Sequence, residues 1–387
     1  MGIKNIIFQQ KHNFLLIFQI AVFLNANFIF GQEQKQKQDR QLSADGPYII
    51  YQPDGKTRII SVDLHGKVND TVISTRRNEI KIKVIDPDGR FPFEVKLHDV
   101  DRPQWKYPEG KNVFVMADPH GRLDCVVSLL QANNIIDKYL NWSFGNNHLI
   151  VIGDVFDRGD DVLQIFWLLY KLEEEAKNSG GHVSLLLGNH EAMVLANDIR
   201  YTTGKYKELS NKLGVEYAQL FALNTELGRW IGTRNTIEVV GKNLYVHAGL
   251  SSQFYYFDFS IPTVNEEISR AIFLKKNERK SLSPMTAFLY GSRGPLWYRG
   301  MVRQEEKYDP ISSDVLDKIL DKYKIKRIIV GHTIFEDITT FYQGRVVGIN
   351  VNNKKNMEQS KGRALLIHND EYYVVGDNGI QRKLYED

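Results

Sequence analysis

Between residues 112 and 187 the chain alternates short apolar runs with longer stretches in which apolar residues recur every three or four positions. Three apolar runs have the length of buried strands: Val113 to Met116, His148 to Ile152 and His182 to Leu187. Two stretches have helical spacing: Leu123 to about Tyr139 and Asp161 to Ala176. This alternation predicts an α/β domain whose functional site lies at the carboxyl ends of the strands.

The rest of the chain is expected to surround this α/β core. Residues 198–232 are predicted to be mostly helical and to form a cap or a rim of a cleft, and residues 253–296 a long insertion of loops and helices. Two further strands are predicted over Lys242 to Val246 and Arg327 to Val330. β-Hairpins are predicted from four later runs: Thr339 to Tyr342, Arg345 to Val351, Ala364 to His368 and Tyr372 to Gly376.

Residues 45–110 predict a small β-rich N-terminal module, followed by the main domain over residues 111–387. Four β-prone runs recur in the module: Tyr48 to Tyr51, Arg58 to Val62, Ile80 to Ile85 and Phe91 to Val95. Pro53-Asp54-Gly55 and Asp86-Pro87-Asp88-Gly89 are strong turn signals between them. Two interpretations of the module stay open, a packing extension of the main domain and a targeting element.

Residues 1–31 have the pattern of a signal peptide. Lys4 and Lys11 precede an apolar stretch from Phe14 to Phe30, which ends at Gly31-Gln32. The stretch is shorter than the roughly 20 residues that a membrane-spanning helix needs. We therefore expect cleavage near Gly31, export to the periplasm or the medium, and no membrane span afterwards; a retained anchor and a buried helix are the alternatives. Residues 32–44 are polar and predict a flexible spacer.

The composition limits which partners, disulfides and metal ligands the chain can have. The 387 residues are 42% hydrophobic, which is ample for a large core, and the net charge of +3 is too close to balance to indicate nucleic acid as a partner. Cys125 is the single cysteine, so the chain can form no intramolecular disulfide. Any metal must therefore be held by nitrogen and oxygen ligands. The sequence carries no signal for the oligomeric state.

Five short motifs follow the predicted strands and carry metal-binding residue types: Ala117-Asp118-Pro119-His120-Gly121, Gly153-Asp154-Val155-Phe156-Asp157-Arg158-Gly159, Gly188-Asn189-His190-Glu191, His247-Ala248-Gly249 and Gly331-His332-Thr333. Asp118 and His120 stand two apart on a turn and can aim a carboxylate and an imidazole at a first metal ion. Asp154 has two oxygens and can bridge two ions. The second ion would take its remaining ligands from three residues: Asn189, His247 and His332.

Such a ligand set predicts a two-metal hydrolytic site. Nitrogen and oxygen ligands suit manganese, iron or zinc, and the sequence does not choose among them. Two ions that share a water lower its pKa and supply a hydroxide for attack on a phosphoryl group.

Four motif residues have predicted roles beside the metals. His190 is placed to protonate the leaving oxygen, and Asp157 to hydrogen-bond the other ring nitrogen of His190. Arg158 supplies a planar fork for phosphate oxygens, and Arg299 is a candidate for a second clamp. The structural alternatives are an orienting role for His190, a salt bridge for Arg158, and stacking of Arg299 on a neighbouring aromatic ring.

These motifs resemble those of the phosphoprotein phosphatase (PPP) branch of the calcineurin-like metallophosphoesterases, over about Asn112 to Val351. Within this branch, the chain most resembles the bacterial-type Shewanella-like protein phosphatases. Four runs carry that finer resemblance: Asp45-Gly46-Pro47-Tyr48, Leu187-Gly188-Asn189-His190-Glu191-Ala192-Met193, Leu227-Gly228-Arg229-Trp230 and Pro295-Leu296-Trp297-Tyr298-Arg299.

The resemblance implies an αββα fold, with two stacked sheets flanked by helices and a bimetal site at one edge. It implies that phosphoserine, phosphothreonine or phosphotyrosine in a protein or peptide is dephosphorylated by a metal-bound hydroxide, without a phospho-enzyme intermediate. It also implies the ligand sets and roles given above. Two positions depart from the family pattern: Ala117 replaces a glycine, and Asn350 stands where relatives often carry aspartate, which puts a supporting role of Asn350 in doubt.

Two alternative functions stay open at this point. Hydrolysis of dinucleoside polyphosphates uses the same motifs, although the insertion at 198–232 and the N-terminal module favour a phosphoprotein substrate. A non-catalytic envelope protein that keeps its metals as a structural staple would be expected to have lost His190, Asp157 or Arg158. All three residues are present, which argues against that alternative.

Overall fold

The computed structural model describes residues 42–353, 355, 358 and 362–385. From Ser43 onward the chain forms one compact unit, so the boundary at residue 110 between module and main domain stays a prediction. The signal peptide and nearly all of the spacer lie outside the described residues, and export likewise stays a prediction. None of the described helices combines the length and the apolar character needed to cross a membrane.

The described strands, numbered in chain order, are β1 (Asp45–Tyr51), β2 (Thr57–Val62), β3 (Val68–Ile73), β4 (Lys81–Val84), β5 (Phe93–Lys96), β6 (Lys106–Tyr107), β7 (Asn112–Ala117), β8 (His148–Ile152), β9 (His182–Leu186), β10 (Ile237–Val240), β11 (Asn243–Val246), β12 (Arg327–Val330), β13 (Thr339–Phe341), β14 (Val346–Gly348), β15 (Arg363–His368), β16 (Glu371–Gly376) and β17 (Gln381–Lys383).

The described α-helices are α1 (Leu123–Ala132), α2 (Val162–Asn178), α3 (Asn189–Val194), α4 (Gly204–Leu213), α5 (Glu226–Ile231), α6 (Ser252–Tyr256), α7 (Ile261–Ala271), α8 (Lys276–Leu282), α9 (Pro284–Leu289) and α10 (Ser313–Tyr323). Short 3-10 helices cover Arg77–Glu79, Tyr217–Phe221 and Glu306–Tyr308. The predicted helical character of 198–232 and of the insertion at 253–296 is thereby confirmed.

Two six-stranded sheets form the centre of the molecule, in the orders β13-β14-β12-β11-β10-β6 and β17-β16-β15-β7-β8-β9. Their inner faces pack against each other through a shared apolar core, to which Val115 and Ile150 contribute from one sheet and Tyr245, Ile329 and Val347 from the other. Helices flank the two sheets, and the expected αββα architecture is confirmed.

Parallel pairing brings the motif-bearing strand ends to one edge of this sandwich. In one sheet Ala117 pairs with Ile152, and Ile152 with Leu186, so β7, β8 and β9 end side by side. In the other sheet Val246 pairs with Val330 in the same way. The first metal-binding residue of each motif lies one to three residues after its strand, so the parallel register within each sheet and the packing of the two sheets collect the five motifs at this edge.

The predicted small β module is present as a three-stranded sheet, β1-β2-β3, and a two-stranded sheet, β4-β5. The sequence missed β3, because none of its side chains is buried and three consecutive polar residues interrupt any apolar alternation. Strand β6 joins the first large sheet, parallel to β10. β1 also reaches the helical segment, since the Tyr51 backbone N–H donates to the Asn224 carbonyl at 2.7 Å.

One helix boundary was wrong. Helical spacing predicted α1 to continue to about Tyr139, but the helix ends at Ala132. The Asn133 side chain donates to the Leu129 carbonyl at 2.9 Å, and Asn134 takes a φ of 57°. A left-handed residue at this point stops the helix, and asparagine tolerates that conformation better than most side chains.

Candidate active site

Several residues of the site have backbone conformations that residues other than glycine seldom adopt. Positive φ angles occur at six of the predicted residues: Asp118 (48°), His120 (44°), Asp154 (54°), Asp157 (70°), Arg158 (67°) and His332 (59°). Such angles cost energy for any residue with a Cβ and persist only where the surroundings hold them. The two loops after β7 and β8 hold each other, because the His120 N–H donates to the Asp154 carbonyl at 2.9 Å.

Asp154 lies at the centre of the cluster and is 2% exposed. Its Oδ2 is 3.2 Å from His247 Nε2, 3.8 Å from His120 Nε2 and 3.9 Å from His190 Nε2. Its Oδ1 accepts the His190 backbone N–H at 2.9 Å. One oxygen thus faces three imidazoles, while the other fixes the orientation of the carboxylate.

Two of these imidazoles have their tautomer set by a backbone carbonyl. His120 Nδ1 lies 2.8 Å from the Phe156 carbonyl, and His247 Nδ1 lies 3.0 Å from the Ile152 carbonyl. A carbonyl oxygen can only accept, so the proton of each neutral ring sits on Nδ1. The Nε2 lone pairs of both rings then point at Asp154, which is how metal-ligating histidines are oriented.

His247 Nε2 also faces an amide oxygen and a second imidazole nitrogen. Asn189 Oδ1 lies 2.9 Å away and His332 Nδ1 lies 3.2 Å away, in addition to Asp154 Oδ2. When His247 is neutral, its Nε2 lone pair and these oxygens converge in a buried space and repel one another, and either a proton on Nε2 or a bound cation removes that repulsion. These residues therefore fit a metal ion.

Two three-residue groups have the geometry to hold an ion, and they share Asp154. One consists of His120, Asp154 and His190, the other of Asp154, His247 and His332. The donor set of carboxylate, amide and imidazole suits manganese, iron or zinc, as the sequence predicts. His190 belongs to the first group here, although the sequence assigns it the role of a general acid.

Asp118 lines the same cavity but belongs to neither of these groups. Its Oδ1 accepts the His332 backbone N–H at 3.1 Å, and its Oδ2 accepts from the Asn350 side chain at 2.6 Å. Its role as a ligand of the first metal stays a prediction. Asn350, whose supporting role the sequence put in doubt, is the side chain that orients this carboxylate. A Cβ at Gly331 would lie 2.5 Å from Asp118 Oδ1, so this position requires glycine.

Asp157 and Thr202 hold the ring of His190. His190 Nδ1 lies 2.6 Å from Asp157 Oδ2, and the Thr202 hydroxyl donates to Asp157 Oδ1 at 2.7 Å. Burial lowers the pKa of His190, but the carboxylates of Asp154 and Asp157 outweigh burial and raise it above its usual value. The ring is therefore disposed to carry a proton near neutral pH, as a general acid must.

The other titratable groups divide between charged and neutral forms. Burial raises the pKa of Asp118 to about 7 and lowers that of His120 to about 4. Burial opposes ionisation of Asp154, yet His247 and His190 hold its pKa well below the usual range. Burial also acts to lower the pKa of His247, but Asp154 raises it to about 9. Asp154 and His120 thus reach neutral pH in the forms that bind metals.

Both predicted arginines line the cavity. Arg158 is exposed, its guanidinium lies 5.7 Å from the centre of the Tyr201 ring, and in the described part of the chain no carboxylate pairs with it. Arg299 is half-buried and donates to Thr333 Oγ1 at 2.7 Å and to the His332 carbonyl at 3.3 Å. Both guanidiniums keep donors available for an anion.

The cavity has a volume of about 120 Å³, and eight of the ten predicted residues line it. The other two, Asp157 and His247, lie behind it in contact with His190 and Asn189. Sequence reasoning missed the apolar residues at its mouth, Tyr201, Trp297 and Ile334. No local pattern marks them, because different loops bring them together.

Sequence reasoning also missed the role of Glu191, which is fully buried. Its Oε2 accepts the N–H groups of Asp154 at 2.9 Å and Gly188 at 2.7 Å, and its Oε1 accepts those of Val155 at 2.8 Å and Phe156 at 3.3 Å. One carboxylate thereby fixes the loop that presents Asp154. A signal was available, since Glu191 closes the third motif.

Comparisons with known proteins agree with this geometry. A calcineurin-like phosphoesterase family model matches residues 111–335. Shewanella-like protein phosphatase 2 of Arabidopsis thaliana is 26% identical over 275 residues, which cover 60% of this chain and 68% of the relative. Shewanella-like protein phosphatase 1 of Plasmodium berghei (strain Anka) is 28% identical over 259 residues, covering 64% and 70%.

Solved structures extend the likeness to most of the chain. A crystal structure of the cold-active protein-tyrosine phosphatase of a psychrophile, Shewanella sp., aligns with a TM-score of 0.78 and 29% identity, over 88% of this chain and 99% of that one. A second structure of a cold-active protein tyrosine phosphatase aligns with a TM-score of 0.79 and 30% identity, over 89% and 98%. The chain therefore belongs to the calcineurin-like phosphoesterase family, whose members use divalent metals, and is a hydrolase of phosphoric monoesters.

Proposed function

We propose that the chain is a two-metal phosphoprotein phosphatase. The observation that carries the proposal is the pair of ligand groups that share Asp154 at the floor of a cavity that also receives Arg158 and Arg299. A phosphoryl group carries concentrated negative charge, and this cavity combines cation-binding ligands with two guanidiniums.

When bound, two divalent cations would lower the pKa of a shared water and polarise the phosphoryl oxygens. Arg158 and Arg299 bind the remaining phosphoryl oxygens and orient the group in the cavity. His190, held by Asp157, gives its proton to the leaving oxygen. Asp118 is held by His332 and Asn350 so that its carboxylate keeps one orientation.

The substrate class is proposed from the shape of the site. A cavity of about 120 Å³ has room for little more than the phosphoryl group, so the rest of the substrate lies across its mouth. There Tyr201 and Ile334 expose 48% and 47% of their surfaces. Exposed apolar side chains at the mouth favour an aromatic ester. We therefore propose phosphotyrosine in a protein as the preferred substrate, in line with the names of the structural neighbours.

The proposal is tested by side-by-side hydrolysis of a phosphotyrosine peptide, a phosphoserine peptide and a dinucleoside tetraphosphate. Each is assayed after chelation and again after manganese is restored. We expect metal-dependent release of phosphate, fastest from the phosphotyrosine peptide. His190→Asn should lower kcat for the peptides by about 10²- to 10⁴-fold, the usual contribution of a positioned proton donor.

The matched control is His182→Asn, which removes an exposed histidine at the opposite end of β9 from the site and should leave kcat unchanged. Turnover of the dinucleotide alone would reassign the substrate to the polyphosphate class. Failure to hydrolyse any of the three with metal bound would overturn the proposed function.

A further inference from the structure

Asp45, at the start of β1, forms a buried ion pair with Lys205 of α4. Its Oδ1 lies 2.8 Å from Lys205 Nζ, and the two side chains are 1% and 5% exposed. Gln164 donates to the same oxygen at 3.3 Å, and the Tyr48 hydroxyl donates to Oδ2. A buried charge pair of this kind needs such additional donors to offset its desolvation.

The pair reaches the loop that carries Asp157 and Arg158. Lys205 Nζ also donates to the Asp160 carbonyl, and the Tyr206 hydroxyl donates to the same carbonyl at 2.8 Å. Tyr206 in turn accepts the Val162 backbone N–H at 2.9 Å. The start of α4 is thus fixed to the backbone directly after the second motif.

The residues just before α4 touch the second motif at two more points. Thr202 Oγ1 donates to Asp157 Oδ1 at 2.7 Å, and the Arg158 N–H donates to the Tyr201 carbonyl at 3.2 Å. The ring centres of Tyr201 and His190 are 5.4 Å apart. Residues 201–206 therefore hold one side of the general-acid pair, and Asp45 supplies the counter-charge for this segment.

We propose that Asp45 is a positioning residue for catalysis. Through Lys205 it holds residues 201–206 against the second motif, so that Thr202 keeps Asp157 and His190 aligned for protonation of the leaving oxygen. The N-terminal β module then contributes to catalysis as well as to packing. This inference rests on the proposed function.

A second buried ion pair ties the N-terminal segment to the main domain and serves as a matched control. Arg77 bonds Glu226 of α5, which also accepts from Tyr51 and Tyr170. None of these contacts involves the second motif or residues 201–206. Loss of the Arg77–Glu226 pair should weaken the fold without moving the general acid.

The test compares Asp45→Asn with Glu226→Gln on two aryl phosphates that differ in their leaving group. Phenyl phosphate needs a proton on its leaving oxygen, whereas 4-nitrophenyl phosphate leaves readily without one. We expect Asp45→Asn to lower kcat on phenyl phosphate by about tenfold, with a much smaller loss on 4-nitrophenyl phosphate and little change in KM. Glu226→Gln should lower the Tm and leave both kcat values of the folded enzyme unchanged.

Two further variants keep the test decisive if Asp45→Asn accumulates poorly. Lys205→Gln removes the same pair from its other end and carries the same expectation. Thr202→Val combined with Asp45→Asn should lose little more than either change alone, because both act on Asp157.

An equal loss of kcat on both esters, no loss, or additive losses in the double variant would overturn the inference. Wild-type enzyme that hydrolyses neither ester would instead contradict the proposed function, so the two failures are distinguishable.

Discussion

Two buried polar clusters in this chain are built in opposite ways. At the strand ends, His247 Nε2 faces two oxygens, Asn189 Oδ1 at 2.9 Å and Asp154 Oδ2 at 3.2 Å, and a second imidazole nitrogen, His332 Nδ1, at 3.2 Å. Beside the N-terminal module, Glu226 receives hydrogen bonds from the guanidinium of Arg77 and from the hydroxyls of Tyr51 and Tyr170. The first cluster needs a proton on His247 or a cation between its acceptors, whereas the second is matched within the protein.

This difference indicates that the cluster at the strand ends serves function and that the cluster around Glu226 serves stability. A matched buried cluster has its desolvation offset within the protein and holds two parts of the chain in a fixed relation. An acceptor-rich cluster is completed by a cation, and natural sequences accept such local conflicts chiefly at functional sites. Changes in the first cluster should therefore alter phosphatase activity, and changes in the second should alter the free energy of unfolding.

Asp154→Asn should have the largest effect, because this residue is shared by both ligand groups. We expect kcat/KM to fall by about 10³-fold or more, which corresponds to about 4 kcal/mol of transition-state stabilisation. The amide oxygen can still accept the His190 N–H, so the fold should be kept. The measurement is metal-dependent phosphatase activity together with denaturant unfolding in the presence of chelator. A variant that unfolds as readily as Glu226→Gln would show that Asp154 also stabilises the fold and would contradict the difference between the two clusters.

The sequence places the residues of the first cluster near one another, because each motif follows an apolar strand and the parallel register brings the strand ends together. Eight of the ten predicted residues line one cavity, seven of them motif residues and the eighth being Arg299, and their roles stay predictions. The contacts that orient those residues were harder to predict. Thr202 approaches Asp157 from a segment without metal-binding residue types, and Asn350 reaches Asp118 from two residues beyond the end of β14.

Glu226→Gln should have the next largest effect, on stability alone. The amide removes the buried counter-charge of Arg77 and leaves it only the exposed Asp99, 3.4 Å away, which should cost about 3 kcal/mol in the free energy of unfolding. Urea unfolding gives this value, and kcat is measured at a temperature where the variant stays folded. A parallel fall in kcat would show that the matched cluster also serves catalysis.

No sequence pattern indicated this second cluster. Its members come from β1, a 3-10 helix, α2 and α5, and each taken singly is an ordinary charged or aromatic residue. Only the tertiary fold brings them together. The small β module could therefore be predicted as a set of strands, whereas its buried links to the main domain could not.

The buried His148 should have an intermediate effect, on the pH dependence of the free energy of unfolding. Burial lowers the pKa of His148 to about 3, below the value of about 6.5 that an unfolded chain gives. Between these two values the unfolded state binds more protons, so stability falls as pH falls from about 6.5 to about 3. His148→Asn should flatten that slope in unfolding measured across this window, and His65→Asn, on an exposed turn of the N-terminal module, is the control. An unchanged slope in the His148 variant would contradict the assignment.

Arg58→Ala should have the smallest effect, although its ion pair has good geometry. Arg58 bonds both carboxylate oxygens of Asp70 at 2.9 and 2.7 Å, but the two side chains are 34% and 39% exposed. Water competes for exposed charges, so the loss should be at most about 0.5 kcal/mol and should shrink further in about 1 M salt. A double-mutant cycle with Asp70→Ala in urea isolates the coupling between the two. A coupling as large as the loss in Glu226→Gln would mean that burial does not distinguish the Arg58–Asp70 pair from the Arg77–Glu226 pair. The contrast between matched and acceptor-rich clusters would then need another physical basis.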